Sequence, residues 1–252
     1  MTNLRERILN KKIPAIAAAF AADCSSDKIK ALKKQGLDIA EIRVDLFTQV
    51  SADKIIQILQ KFSAVGVSTI LTCRSKKEVG GWNGSDLARA ELLAKCYQYA
   101  DIVDIESSSI HPKSTTSAQF CQLADEISSS KTQLLISYHN FDKTPSLKTI
   151  EDEFAAVEKL LPAKIDIIKV AVQVYSNADI AILTALLLQN SHKNMVVIGM
   201  GDFGMLTRIS FAAYGSLFTF AHINEITAPG QMDIEKTNKY LRLFYPTYGA
   251  KK

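Results

Sequence analysis

Apolar residues recur along this chain in two alternating periods. Short runs of strand character are followed, with little interruption, by stretches whose apolar positions fall three and four apart. Residues 14–20 read as a first strand, and a helical pattern follows from 27 to 35. Residues 39–46 are the second strand. Ser51 then caps a helix whose Ile55, Leu59 and Phe62 share one face. Residues 69–74, 101–106, 133–139, 166–172, 194–200 and 217–223 complete a set of eight strands. The helices predicted between them include one opened by Ser85, one with Phe120, Ala124 and Ile127 on a face, and one with Ile150, Phe154 and Val157. Ser176 and Asp179 form a capping-box pattern for a helix through Leu188; another helix is predicted over 206–214, and a last one starts near Asp233. Eight strand-then-helix units are the content of a single-domain (β/α)8 TIM barrel over residues 1–252. A doubly wound open sheet is the structural rival, but the even spacing and the lack of a linker favour closure. The repeat is one of architecture; no repeat of individual residues is evident.

One strand breaks the apolar rule. In Asp166-Ile-Ile-Lys-Val-Ala-Val172 a lysine stands among apolar residues. Such a strand reads as buried on both faces, and lysine is rarely buried unless it is paired or functional. Burial disfavours the charged ammonium, nearby cations would do the same, and a neutral amine forms imines with carbonyl compounds. The plain alternative is a strand-end lysine snorkelling to water.

Composition narrows the classes. Nearly half the residues are hydrophobic, enough for a sizeable core, and the net charge is a modest +4. The cations are scattered, with no basic block for nucleic acid. The N-terminal residues lack a signal-peptide apolar region, and the longest apolar stretches are too short or too polar to span a bilayer. Cysteines at 24, 73, 96 and 121 stand far apart with no C-x-x-C. That spacing argues against zinc or a disulfide framework and fits a reducing cytoplasm.

In a closed barrel the active site lies at the C-terminal ends of the strands. Glu41 and Arg43 stand two apart on strand two and so share a face. Arg74 ends strand three, with Glu78 four residues on. His139 ends strand five, Lys169 sits on strand six, Arg208 follows strand seven, and Thr227 to Gln231 follow strand eight. Each residue alone reads as an ion pair or a surface group. Together they bring three arginines, two glutamates, a histidine and a lysine to one mouth. A lysine imine makes the adjacent C–H acidic, histidine is the natural base, and Glu78 would orient it. Arginine grips a carboxylate in a fork. The substrate class is a small keto acid, and the reaction class is proton abstraction next to a carbonyl.

These residues stand in motifs. The chain resembles the type I 3-dehydroquinate dehydratases (3-dehydroquinases) of the shikimate pathway over nearly its full length. The resemblance rests on Glu41-Ile-Arg-Val-Asp-Leu46, Thr72-Cys-Arg-Ser-Lys-Lys-Glu-Val-Gly-Gly81 and Ile136-Ser-Tyr-His-Asn-Phe-Asp-Lys-Thr-Pro145. It continues in Ile168-Lys-Val-Ala-Val172, Thr207-Arg208 and Ala228-Pro-Gly-Gln231. It implies a TIM-barrel hydro-lyase, with no metal or organic cofactor, commonly dimeric. It implies that Lys169 forms the imine with 3-dehydroquinate, that His139 moves the proton, and that Glu78 orients His139. Arg208 and Gln231 would hold the substrate carboxylate, and Glu41, Arg43 and Arg74 the ring hydroxyls. Thr227 stands where members usually carry serine. Ala17-Ala-Ala19 stands where many members have a polar contact. Met200, Met205 and Phe220 are expected as apolar walls. The expected partners are the small-molecule substrate and a second copy of the chain, with no nucleic acid and no membrane; the expected location is cytoplasmic.

Other readings remain open on the sequence. Gly199-Met-Gly-Asp-Phe-Gly204, with Glu225 about twenty residues on, spells a dinucleotide fingerprint and would make an NAD-dependent oxidoreductase. The motif follows the seventh strand rather than the first, which disfavours it. A lysine-imine aldolase shares fold and intermediate, and a non-catalytic carboxylate binder is a third reading. The Gly80–Gly84 segment and the loop from 227 to 232 are expected lids.

Overall fold

Eight parallel strands wrap around one axis in the computed structural model, which describes residue 8 and residues 13–161, 165–223 and 230–246. They are β1 (Ala15–Phe20), β2 (Ile39–Arg43), β3 (Ser68–Thr72), β4 (Ile102–Glu106), β5 (Gln133–Asn140), β6 (Ile167–Gln173), β7 (Met195–Met200) and β8 (Phe218–Ala221). Each of β1 to β7 pairs with the next up to β7, and β1 also pairs with β8. The ring closes between β7 and β8 through a single bridge, Met195 to Ser216, where the Leu217 amide donates to the Met195 carbonyl at 2.8 Å. The expected barrel is what forms.

Alternation along the strands produces two cores. Ala15, Ala17, Ile39, Ile70, Ile102, Leu135, Ile167, Val196 and Phe218 form the cluster inside the barrel. Residues one step along, such as Ile16, Ala40, Leu71, Val103, Ile136 and Val197, pack outward against the helices with Ile55, Phe62, Phe120 and Phe154. Serine hydroxyls open the helices. Ser25, Ser51, Ser85, Ser146 and Ser176 each accept the amide three residues on, and Ser176 forms the full box with Asp179. No helix among the described residues is long and apolar enough to cross a membrane.

The structure contains a repeat of individual residues that the sequence conceals. Asp38, Asp101 and Asp166 stand just before β2, β4 and β6. Their carboxylates accept the amides of Ile16, Thr69 and Leu134 on the preceding strands, each at 2.9 Å. Ser216, before β8, accepts the Val197 amide of β7 at 3.1 Å. The barrel is therefore stitched in pairs, with a side-chain acceptor at the start of every second strand.

The helix expected over 206–214 is broken. It divides into turns at Phe203–Leu206, Thr207–Ser210 and Phe211–Tyr214. The Tyr245 hydroxyl donates to the Ile209 carbonyl at 2.6 Å and accepts the Ala213 amide at 3.1 Å. A hydroxyl thus stands where the i to i−4 bond would run, which interrupts a helix. The second strand also ends earlier than expected, at Arg43, because Val44–Leu46 coil into a single 3-10 turn.

Replacing Asp166 by alanine leaves the Leu134 amide without this acceptor, and a hydrogen bond to a charged group contributes about 1.5–3 kcal/mol, less where it is only part-buried as here. Chemical denaturation of Asp166→Ala is expected to show that loss, with specific activity unchanged because the residue lies at the opposite end from the mouth. An unaltered midpoint would mean the stitch contributes nothing.

Candidate active site

The same alternation that fills the barrel with apolar side chains also places its polar ones. Two residues beyond the inward apolar positions 39, 70, 102, 135 and 167 stand Glu41, Thr72, Asp104, Ser137 and Lys169. One more step gives Arg43, Arg74, Glu106, His139 and Ala171. Two tiers of polar groups, broken only by Ala171, therefore sit above an apolar floor at the C-terminal mouth.

Lys169 is 4% exposed. Its Nζ lies 3.1 Å from Glu41 and 3.3 Å from Asp104, with the Phe220 ring centroid at 4.8 Å. The surroundings expected from the sequence, cations around a desolvated amine, are not what it meets: its immediate partners are two carboxylates. Asp104 also accepts from Arg74 at 2.7 Å and from the Ser137 hydroxyl at 2.6 Å. Burial would raise the Asp104 carboxyl, but the charges of Arg74 and Lys169 hold it well below the usual range. Thr72 donates to Glu41 at 3.1 Å.

His139 Nδ1 stands 2.7 Å from Glu78, whose other oxygen accepts from Ser108 at 2.7 Å. Phe141 stacks beside the imidazole, with an interplanar angle of 14°. Burial, followed by the charges of Arg74 and Lys169, pushes His139 well below its ordinary value. Burial and the neighbouring Glu106 raise Glu78 to about 8, against the pull of Arg74. The lowered imidazole is neutral, the form that can accept a proton. Val79, next in sequence, is held at φ 58°, a left-handed conformation that a β-branched residue rarely adopts.

The cavity over Lys169 brings together most of the residues expected there. Glu41, Arg43, Glu78, His139, Arg208 and Gln231 line it, with Met200 and Phe220 as apolar walls. Arg74 lines it too, but its guanidinium already meets Asp104, Glu106, Glu78 and Ser137. It serves the carboxylates more than it faces a ligand. Arg43 forms a two-pronged pair with Asp45, at 2.9 and 2.7 Å. Burial lowers Arg208 to about 10, and its guanidinium donates to the Phe220 carbonyl at 3.2 Å. Ala19 lines the cavity where a polar contact is missing from strand one.

Three expectations need correcting or setting apart. Met205 does not line this cavity; it is 41% exposed and lines a separate apolar groove with Tyr214 and Phe244, carried there by the short turn after β7. The Gly80–Gly84 segment is anchored rather than free: Gly80 packs on the Arg74 backbone, its amide donates to Ser75, and the Gly81 amide donates to Asp45. Thr227 and Glu225 lie outside the described residues, as does the first half of the second expected lid, residues 227–229.

The glycine motif after β7 is a tight turn. Gly201 takes φ 82°, and a side chain on Gly204 would meet the Gly199 backbone. The Gly199 amide donates to Thr207, the Gly204 amide to Gly201, and the Met205 amide to Asp202. These bonds close the turn on itself, and a broken helix follows where a dinucleotide site would need a continuous one.

A sequence model of type I 3-dehydroquinase matches residues 21–247. The chain belongs to the type I 3-dehydroquinase family. A 3-dehydroquinate dehydratase of Methanococcus maripaludis strain C6 is 38% identical over 224 residues, 86% of this chain and 94% of that protein. One from Methanothermobacter thermautotrophicus is 34% identical over 211 residues, 84% of this chain and 87% of that protein. The crystal structure of the 3-dehydroquinate dehydratase from Aquifex aeolicus VF5 superposes with a TM-score of 0.77 at 30% identity, covering 92% of this chain and 99% of that one. The resemblance read from the motifs is thereby borne out at the level of family, fold and activity.

Sequence reasoning overlooked Asp104 and Glu106. Both interrupt a buried apolar strand at inward positions, the same signal that exposed Lys169, and Glu106 holds Arg74, Arg89 and the Ser75 amide.

The raised Glu78 carboxyl predicts a pH effect with a definite sign. A carboxyl whose folded value exceeds its unfolded one stabilises the fold at low pH and loses that contribution as pH rises. Between about 4.5 and about 8 the wild type is expected to lose stability relative to Glu78→Gln, which cannot ionise. Urea denaturation of both proteins at several pH values measures this; a constant difference would contradict the raised value.

Proposed function

We propose that this chain removes water from 3-dehydroquinate to give 3-dehydroshikimate through an imine on Lys169. Family membership supports the reaction, and the observation that carries the assignment of roles is one cavity in which Lys169 and the His139–Glu78 pair both open. Lys169, releasing an ammonium proton that the imine nitrogen regains, attacks the C3 ketone, whose oxygen leaves as water. The protonated imine draws electrons from the C2–H bond. His139, neutral and fixed through Nδ1 by Glu78, takes the C2 proton and delivers a proton to the C1 hydroxyl, which departs as water. Hydrolysis of the imine returns the free lysine.

Arg208 is a desolvated cation at the rim of this cavity, and a substrate carboxylate would offset its burial. Gln231 supports the same end. Glu41 and Arg43 face the ring hydroxyls, and Arg74 acts on the substrate chiefly by placing Asp104 and Glu78. Thr227 is assigned to substrate binding by the resemblance alone.

The protein further fits a homodimer working in the cytoplasm. All four cysteines are unpaired. Leu206 and Phe244, each more than half exposed, line with Tyr214 an apolar groove of the kind that marks an interface.

Lys169→Ala is expected to abolish turnover while still binding substrate, read by steady-state assay and calorimetry. His139→Ala is expected to lose about 10²–10⁴-fold in kcat. Turnover near the wild-type level in the lysine variant would overturn the assignment. Sedimentation is expected to give a dimer that Phe244→Asp converts to monomer; a monomeric wild type would contradict the interface.

A further inference from the structure

Two carboxylates touch the reacting nitrogen, and they are not equivalent. Glu41 lines the cavity and accepts, besides Lys169, a hydroxyl from Thr72. Asp104 stands behind the lysine on β4, with its side chain fully buried. One Asp104 oxygen is shared between Arg74 Nη2 at 2.7 Å and Lys169 Nζ at 3.3 Å, and the other accepts Ser137 Oγ at 2.6 Å. Ser137 in turn accepts Arg74 Nη1 at 2.8 Å. The carboxylate is locked in place by three donors, from β5, from β6 and from the loop just past β3. Glu41 has the freedom to exchange its partner for substrate, and Asp104 does not.

We propose that Asp104 is the fixed counter-ion of the reacting nitrogen, holding the Lys169 ammonium in the free enzyme and keeping the substrate imine protonated during turnover. The inference rests on the imine reading of Lys169 given above. The charge balance shows why a fixed anion suits both states. An ammonium and a ketone become a protonated imine and one water, so the nitrogen carries one positive charge before and after. Only the protonated imine draws electrons strongly from C2–H. In a cavity walled by Phe220, Met200 and Ile198, desolvation favours loss of that proton. An anion about 3 Å from the nitrogen opposes the loss, and strongly so where water is excluded. Arg74 and Ser137 keep the anion itself ionised and aimed. The same arrangement explains why a buried arginine that binds so many protein groups lies beneath the site.

The kcat–pH profile tests this, because kcat reports groups in the substrate complex. In Asp104→Asn the alkaline limb is expected to move to lower pH by about one unit or more, the scale of losing one adjacent opposite charge. Trapping of the adduct by cyanoborohydride should fall over the same range. In Ser137→Ala the carboxylate keeps its charge but loses a donor. Its ionisation and aim at the nitrogen are weakened, and the limb is expected to move the same way by a smaller amount. The second variant keeps the test open if the first fails to fold. Activity reduced evenly across pH, with the limb unmoved in either folded variant, would make Asp104 merely structural and overturn the proposal. A wild type that forms no adduct on Lys169 would instead overturn the imine reading on which it depends.

Discussion

A lysine inside a barrel requires an anion within reach, and much of this structure answers that requirement. Lys169 meets Glu41 and Asp104, Asp104 requires Arg74, and Arg74 in turn meets Glu106 and Glu78. Arg89 closes the series by pairing with Glu106 at 2.8 Å, its guanidinium over the Phe120 ring. Removing one partner from such a chain leaves its neighbour buried and uncompensated, which is far more damaging than losing a surface pair. The network is therefore coupled from the reacting nitrogen to the His139–Glu78 pair, and changes at one end are expected to be felt at the other.

The barrel makes the network possible. Parallel strands in register bring residues of equal height to one level, so Lys169 stands beside Ser137, and Asp104 beside Thr72. The apolar floor below excludes water, and the stitched strand pairs at the far end hold the register. The sites of charge and of stability lie at opposite ends of the same strands, as is usual in this fold.

Much of this was legible in the sequence because it depends on period. The strands, the serine caps and the inward faces of Glu41, Arg43, His139 and Lys169 follow from alternation and spacing alone. What was not legible depends on contacts between distant residues. Tyr245 interrupts a helix more than thirty residues before it. Met205 turns outward although Met200 turns in, because the turn after β7 is tight. The surroundings of Lys169 were misjudged because Asp104 and Glu106 read as ordinary strand residues until strand neighbours set them against Arg74. Asp38, Asp101 and Asp166 are alike only in the barrel, since their partners lie on preceding strands.

The central claim is that Lys169 bonds covalently to a keto substrate, and reduction of that bond is its most direct measure. The folded protein would be treated with borohydride, with and without 3-dehydroquinate, and examined by intact and peptide mass. A substrate-dependent mass increase on the peptide bearing Lys169, absent without substrate, is the expected result. A folded, active protein whose Lys169 stays unmodified, or whose adduct lies on another lysine, would contradict the imine and with it the role given to the buried charges.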